Sequence, residues 1–427
     1  MPTNAIPRSG AGTDGFATET DIWPRVTREV ADDLAVDASA RDRAGKVPFD
    51  EVARLREAGL PALLTPPEAP RPGRLPGRNG ADWQSACAAV REIATADSSI
   101  GEILAHHHVL SWSARFFGGA ETAARFELRT AREQWLLAGS VEPRGTEAGT
   151  GLTVTPAPGG YVLSGSRSFT AGVAVADRLV VGGRSTTTDE LLIALVDPAL
   201  PGVITDVAND RLGQRLTGAG SVTFDQVFVG DDDVLGVVPC EEHAVSAFAG
   251  LAPLALRLML AHVGLGTAEG ALAEARDSSR AEWGAWPAGD DEHDGPLAQQ
   301  RNTDPYFVLA YGELTTAAHS AEAVVERATD ALGRGLLTGP GLGTDQRADI
   351  AVLVDVAEAV TDRAAVQITS RLLELTDGAD ITDDGPGLDR FWRNARVLTA
   401  RNSLAHRLRD IGDHYLSGTR LRLTSYA

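Results

Sequence analysis

The stretch YVLSGSRSFTAGVAVADRLVV, residues 161–181, changes the period of the chain. Before it, apolar residues recur at helical spacing. Within it, β-branched and aromatic residues alternate with small polar ones, and glycine marks the breaks. It is part of a series of short β-type runs between 136 and 235: GLTVTPAPGGYVLSGSRSFT, DRLVVGGRS, ELLIALVD and SVTFDQVFVG. Strands at this spacing make a compact barrel or sandwich. In the last run Val222, Phe224 and Val229 are separated by polar residues, while Gln226-Val227-Phe228 interrupts the alternation.

Outward from these strands, both flanks read as helices. PFDEVARLREAGLPAL (48–63) predicts a helix with Asp50 as N-cap, Val52, Leu55 and Ala58 on one face, and Gly59 and Pro61 as the stop. TPPEAPRPGRLPGRNG (65–80) carries five prolines and three glycines and reads as a loop. Two helices are expected at about 81–97 and 100–117. Beyond 240 the segments starting LAPLALRLML, DPYFVLAYGEL and RADIAVLVDV predict long helices, with GRGLLTGPGLGTD (333–345) as a linker. The expected division is a disordered tail over 1–20, a helical domain over 21–135, a β-barrel domain over 136–235 and a helical bundle domain over 236–427.

Composition narrows the function. The chain has 427 residues, 43% of them hydrophobic, and a net charge of −20. That charge argues against nucleic acid or an anionic membrane as partner. Two cysteines, Cys87 and Cys240, make no disulfide framework and suit a reducing cytoplasm. The N-terminus lacks the basic start and apolar core of a secretion signal, and no apolar run reaches the length of a membrane span. Lys46 is the single lysine, so positive charge comes from arginine. Five arginines crowd LDRFWRNARVLTARNSLAHRL, residues 388–408. No G-x-G-x-x-G follows an early strand, which removes a nicotinamide domain from consideration.

LLAGSVEPRGTEAG (136–149), YVLSGSRSFTAGVAVADRLVV and RLGQRLTGAGSVTFDQVFV (211–229) occur in the order and spacing of the acyl-CoA dehydrogenase superfamily, which the chain resembles from about 25 to 425. The resemblance implies an α+β multidomain fold: an N-terminal helical domain, a middle β-barrel and a C-terminal four-helix bundle. DPYFVLAYGEL and RNARVLTARNS resemble the flavin-dependent monooxygenases on this fold, typified by dibenzothiophene monooxygenase and the sulfur-acquisition oxidoreductases. Those relatives take reduced FMN from a separate flavin reductase and pass one oxygen atom to a small molecule through a C4a-(hydro)peroxyflavin. A homotetramer in the cytoplasm and a small, aromatic or heteroatom-containing substrate, of natural-product type, follow from the same resemblance. The family's FAD-binding R-x-Q-F-G is replaced by RAEWGAW, which favours FMN over FAD.

Dehydrogenases of this fold need a carboxylate base. At the two positions where the family places it, this chain has Asn402 and Leu256. A dehydrogenase or oxidase, or a flavin-free binding protein, are the competing readings. By resemblance, His107 serves as proton donor near the flavin and Thr170 as the hydroxyl near flavin N5. Phe169 would stack on the flavin ring, Ser140 would reach its pyrimidine edge, and Arg280 would meet the phosphate. Arg393 belongs to the flavin and subunit framework, while Arg401 and Asn402 occupy the altered pocket, with Arg401 as a substrate anchor. Among His106, His107 and His108, helical geometry lets at most one face a given pocket squarely, since successive residues point about 100° apart. No metal is expected there, because ligands on a helix chelate at i, i+4 spacing.

Overall fold

The structure is a computed structural model that describes residues 22–64, 81–141, 151–208, 210–284, 305–375, 387–401 and 403–418, with backbone only at 81–82, 242 and 280–284. The expected tail over 1–20 and the 65–80 loop fall outside the described residues. Helices come first: α1 Trp23–Ala35, α2 Ala38–Ala44, α3 Phe49–Glu57, α4 Ala81–Ala96, α5 Ser98–Ser111, α6 Ser113–Phe117 and α7 Ala120–Glu133. Asp50 is not the N-cap of α3. The helix starts one residue earlier, behind Pro48, so Asp50 lies in the first turn, where a carboxylate still faces the positive end of the helix dipole. Gly59, with φ +75°, ends that segment as expected.

Eight strands follow: β1 Leu137–Ser140, β2 Thr153–Ala157, β3 Gly160–Phe169, β4 Arg178–Ser185, β5 Leu191–Val196, β6 Val203–Val207, β7 Gly220–Gly230 and β8 Val234–Val238. They form one mixed sheet in the order β6-β7-β3-β2-β4-β5-β8, with β1 parallel to β4. Phe224 and Val227 of β7 share a core with Ala194 and Val196 of β5, so the sheet curls around its own interior. The opposite faces of β4 and β5 are also covered. Val180, Leu191, Ile193 and Leu195 pack on Leu110, Ala114 and Phe126 of the helices. All six residues of β5 are therefore buried, and its continuous apolar run is the signature of a strand between two layers. The interruption at Gln226 is a β-bulge. Gln226 takes φ +52°, the ladder between β3 and β7 skips a residue there, and the alternation restarts with Val227 and Val229 inside.

The second helical half contains α8 Ala252–Gly284, α9 Pro305–Thr338, α10 Thr344–Leu375, α11 Asp389–Thr399 and α12 Leu404–Ser417. Helix α8 is apolar enough to resemble a membrane span, but it is the core helix, largely buried among α4, α5, α9 and α10. A Cβ at Gly266 or Gly270 would collide with the carbonyls of Arg91 or Thr95, so these glycines let α4 and α8 approach closely. The same logic corrects the expected linker at 333–345. Helix α9 runs through Gly333 and Gly335 to Thr338. A Cβ at Gly335 would press on Ile350 Cδ1 at 2.6 Å. Glycine serves helix packing here, and only the Gly339–Gly341 turn breaks the chain.

Helix α5 is buried along its whole length. His107 locks it to both halves of the N-terminal body. Its Nε2 donates to the Pro61 carbonyl at 2.9 Å, and its Nδ1 accepts from the Leu137 amide at 3.1 Å. That arrangement requires the neutral ring, and burial lowers its pKa to about 4. Replacing His107 by leucine orphans two buried backbone groups, so His107→Leu should lose roughly 2–4 kcal/mol at pH 7 in urea unfolding. A histidine with a depressed folded pKa contributes stability above its unfolded pKa, about 6.5, and loses it as pH falls toward 4. The deficit of the variant should therefore narrow by roughly 2 kcal/mol between pH 7 and pH 5. A deficit that stays constant over that range would contradict the assignment.

Candidate active site

The site grows from one face of α5. Asp97 caps the helix, accepting from the amides of Ser99 at 3.1 Å and Ile100 at 3.3 Å. Glu102 and His106 stand four residues apart and so share a face. Glu102 has no solvent exposure at all. An ionised carboxylate in such a place needs a cation, and the cation is Arg401, whose Nη2 lies 2.5 Å from Glu102 Oε1. His106 Nε2 is 3.8 Å from the same oxygen and 3.3 Å from the Thr170 hydroxyl. Thr170 itself is exposed at the end of β3. A polar path therefore runs inward from Thr170 through His106 to the Glu102–Arg401 pair.

A loop supports this path. Arg211 Nη1 donates to the Thr170 carbonyl at 3.1 Å and to Thr217 Oγ1 at 2.9 Å. Gln214, held at φ +53°, donates from its amide to Asn394 Oδ1 and from its side chain to Ser98 Oγ, both at 2.7 Å. Thr267 of α8 donates to the same Ser98 hydroxyl at 2.8 Å. Sheet, α5, α8 and α11 thus meet at one buried network.

Electrostatics fix the protonation states. Burial, reinforced by the positive charge of Arg401, lowers the His106 pKa to about 3. The imidazole is neutral at physiological pH and can relay a hydrogen bond but holds no spare proton. Burial also lowers the Arg211 pKa, opposed by Glu102. The second oxygen of Glu102, Oε2, has no hydrogen-bond partner among the described residues.

The structure unites two of the residues expected from sequence, Thr170 and Arg401, but joins them through His106 and Glu102. His107 points elsewhere, with both ring nitrogens bound to backbone. Counting along the triplet selected the wrong neighbour by one residue, a rotation of about 100° on the helix. Phe169 is packed in the core of the sheet, 4% exposed, because β-strand alternation turns it inward when Thr170 turns out. Its ring therefore has no open face for stacking. Ser140 ends β1 and accepts from Arg167 Nη2 at 3.1 Å. Arg393 is spent on the protein: it donates to Asp389, Asp42 and the Leu212 carbonyl. Asn402 and the Arg280 side chain lie outside the described residues.

Sequence reasoning missed Glu102, His106 and Arg211. The first two carried a readable signal. Glu102 is the one charged residue in the apolar turn SIGEILA, and a histidine follows at i+4. The Arg211 contact comes from a loop that returns to the end of β3, which local pattern does not encode. The exposed Thr170 hydroxyl beside Arg211, and the Ser140 hydroxyl beside Arg167, are groups of the kind that can hold the polar edge of a flavin ring.

Residues 258–405 match the family model of the acyl-CoA dehydrogenase C-terminal domain. The dibenzothiophene monooxygenase of Rhodococcus qingshengii is 32% identical over 425 residues, covering 96% of this chain and 95% of that protein. A probable FMNH2-dependent monooxygenase of Pseudomonas putida, SfnC, is 30% identical over 92% of this chain and 95% of its own length. The crystal structure of TdsC from Paenibacillus sp. A11-2 with FMN and indole superposes with a TM-score of 0.82 at 29% identity, covering 95% of this chain and 99% of that one. The chain belongs to the acyl-CoA dehydrogenase superfamily, in the branch of dibenzothiophene monooxygenase and its FMNH2-dependent monooxygenase relatives.

Proposed function

We propose that this protein is the oxygenase of a two-component, FMN-dependent monooxygenase system that transfers one oxygen atom from O2 to a small organic substrate. A separate flavin reductase supplies the reduced FMN. The observation that carries this reading is the neutral His106 imidazole held between the exposed Thr170 hydroxyl and the buried Glu102–Arg401 pair. A dehydrogenase requires a carboxylate free to take a substrate proton. The carboxylate in this cluster is ion-paired and sealed from solvent, and the alternative base position holds Leu256.

Reduced FMN would supply the electrons that activate oxygen. The chain's residues do the rest. Thr170 and Ser140 hold the ring edge by their hydroxyls. His106 hydrogen-bonds the Thr170 oxygen and fixes its orientation. Glu102 and Arg401 pair with each other, so the floor of the site is polar with both of these charges already occupied. This corrects the idea of Arg401 as a bare anion anchor, since an anionic substrate would have to displace Glu102. The name of one relative carries dibenzothiophene, and TdsC binds indole; a small heteroaromatic suits a floor whose charges are already paired.

Exposed apolar residues point to assembly. Tyr306, Val308 and Leu309 on α9, and Tyr415 and Leu416 on α12, lie open on the single chain. Apolar surface of this kind is buried between copies, and the proposed state is a cytoplasmic homotetramer.

Three measurements test these statements. Titration with FMN should show binding, and the reduced complex mixed with oxygen and indole or dibenzothiophene should yield oxygenated product. Bleaching of bound oxidised flavin by an acyl-CoA, or no flavin binding at all, would overturn the reading. His106→Phe, which releases the Thr170 hydroxyl from its fixed orientation, should divert oxygen to hydrogen peroxide and lower product formation on the order of 10²-fold, with FMN affinity nearly unchanged. Light scattering should report four chains. Leu309→Asp with Leu416→Asp should lower that number, whereas a wild-type monomer would refute the assembly.

A further inference from the structure

The loop between β6 and β7 presents Arg211 beside Thr170, and the loop is pinned to the segment that follows β3. The Gly172 amide donates to the Thr217 carbonyl at 2.6 Å, and the Ala174 amide donates to the Gly218 carbonyl at 3.1 Å. Arg211 Nη1 donates to the Thr170 carbonyl at 3.1 Å. Inside the loop, Thr217 Oγ1 accepts from the same Nη1 and donates to the Gln214 carbonyl, both at 2.9 Å. Arg215 Nε donates to the Arg211 carbonyl at 3.1 Å. The guanidinium is thus held at one corner by groups that are themselves fixed, next to the exposed Thr170 hydroxyl.

Both hydrogen bonds of the Arg211 side chain use Nη1. Among the described residues, Nε and Nη2 make no hydrogen bond and no carboxylate touches the guanidinium. By contrast, Arg390, Arg393, Arg401 and Arg407 each contact a carboxylate. Arg211 is half-buried, and burial lowers its pKa although Glu102 opposes that shift. A guanidinium that has given up part of its water without an ion-pair partner gains from a counter-anion. Its unused edge, Nε with Nη2, offers the parallel donors that fit two oxygens of one carboxylate.

The geometry points to Arg211 as the specificity-determining residue of the site, binding the carboxylate of a small aromatic acid through Nε and Nη2, with the ring toward Thr170 and His106. The place given to the ring rests on the monooxygenase reading, and the acid is the substrate class that this reading leaves open. Arg401 does not fill the role, because Glu102 holds it. Nor does the FMN phosphate supply the anion: with the ring edge at Thr170, it sits a ribityl chain away. A neutral aromatic would leave the fork unpaired, and an aromatic amine would be repelled by it. Because the loop is already fixed, little conformational freedom is lost on binding.

The test is isothermal titration of the full chain at pH 7.5, with and without saturating FMN. The probes are indole-3-propionate, indole and tryptamine, which present one ring with three different charges. Indole-3-propionate should bind about ten- to a hundredfold tighter than indole, the range of a charge-assisted hydrogen bond, and tryptamine should bind more weakly than indole. Arg211→Gln, with folding checked by its melting curve, should close the gap between the acid and indole. Equal affinity for the acid and indole in the wild type, or a gap that survives in a folded Arg211→Gln, overturns the assignment. An Arg211→Gln chain that loses FMN affinity as strongly as acid affinity gives the residue to the cofactor and overturns its substrate role. Should Arg211→Gln fail to fold, Arg211→Lys, which keeps the charge without the fork, must narrow the gap, and an undiminished gap overturns the proposal. A chain that prefers the acid but binds no FMN sinks the monooxygenase reading and leaves the anion site standing. A chain that binds FMN and oxygenates indole without preferring the acid does the reverse.

Discussion

Helix α5 has no side open to water, so its polar groups draw partners from the elements around it, and only the His108 ring and one oxygen of Glu102 find no hydrogen bond among the described residues. That constraint organises the molecule. Asp97 closes the amino end, His107 takes up a carbonyl from the Leu60–Ala62 turn and an amide from β1, and Ser98 receives donors from Gln214 and Thr267. Glu102 cannot be satisfied by backbone alone and draws Arg401 in from the C-terminal segment. A buried ion pair contributes little net stability, yet removing either partner strands a charge at several kcal/mol. The pair therefore fixes position: it dictates where the chain beyond α11 must lie relative to the sheet.

The same constraint sets the chemistry. A histidine beside a buried arginine stays neutral, and the glutamate is held in an ion pair with that arginine. Neither group serves as a free acid or base at neutral pH. What the site offers is orientation and dryness around an exposed hydroxyl at the end of β3. This suits a reaction whose reactivity belongs to a cofactor and whose main hazard is water. It does not suit proton abstraction from carbon, which needs a carboxylate with room to move.

The fold was legible because its signals are periodic. The short strand-type runs between 136 and 235, the helical period on both flanks and the order of the family-like segments all agree with the structure. Errors arose where a residue type has two uses. Gly333 and Gly335 read as a linker, yet they serve close helix contact against Ile350 and Gln84. Asp50 read as a cap, although the cap is Pro48, two residues earlier. In the site, the difference between His106 and His107 is one residue of helix rotation, which ungapped counting cannot resolve. Phe169 and Thr170 show the complementary case. Strand alternation assigned them opposite faces, and that alone told against both serving one cofactor surface.

The arginines of 388–408 take their meaning from partners in other elements. Arg390 forms a bidentate pair with Glu274 of α8, at 2.9 and 2.6 Å. Arg393 reaches Asp42 of α2, Arg401 reaches Glu102 of α5, and Arg407 reaches Glu358 and Asp362 of α10. Arg396 lies over the Trp392 ring. Four guanidiniums thus sew two short helices to four distant segments, in a chain whose surplus of acids provides the other half of each stitch. Arginine suits this better than lysine, because a planar fork can hold two oxygens while staying charged when buried. The positive cluster is therefore largely consumed inside the fold. Its consequence is geometric: by binding Glu102, Arg401 ties the segment between α11 and α12 to the buried face of α5 that carries His106.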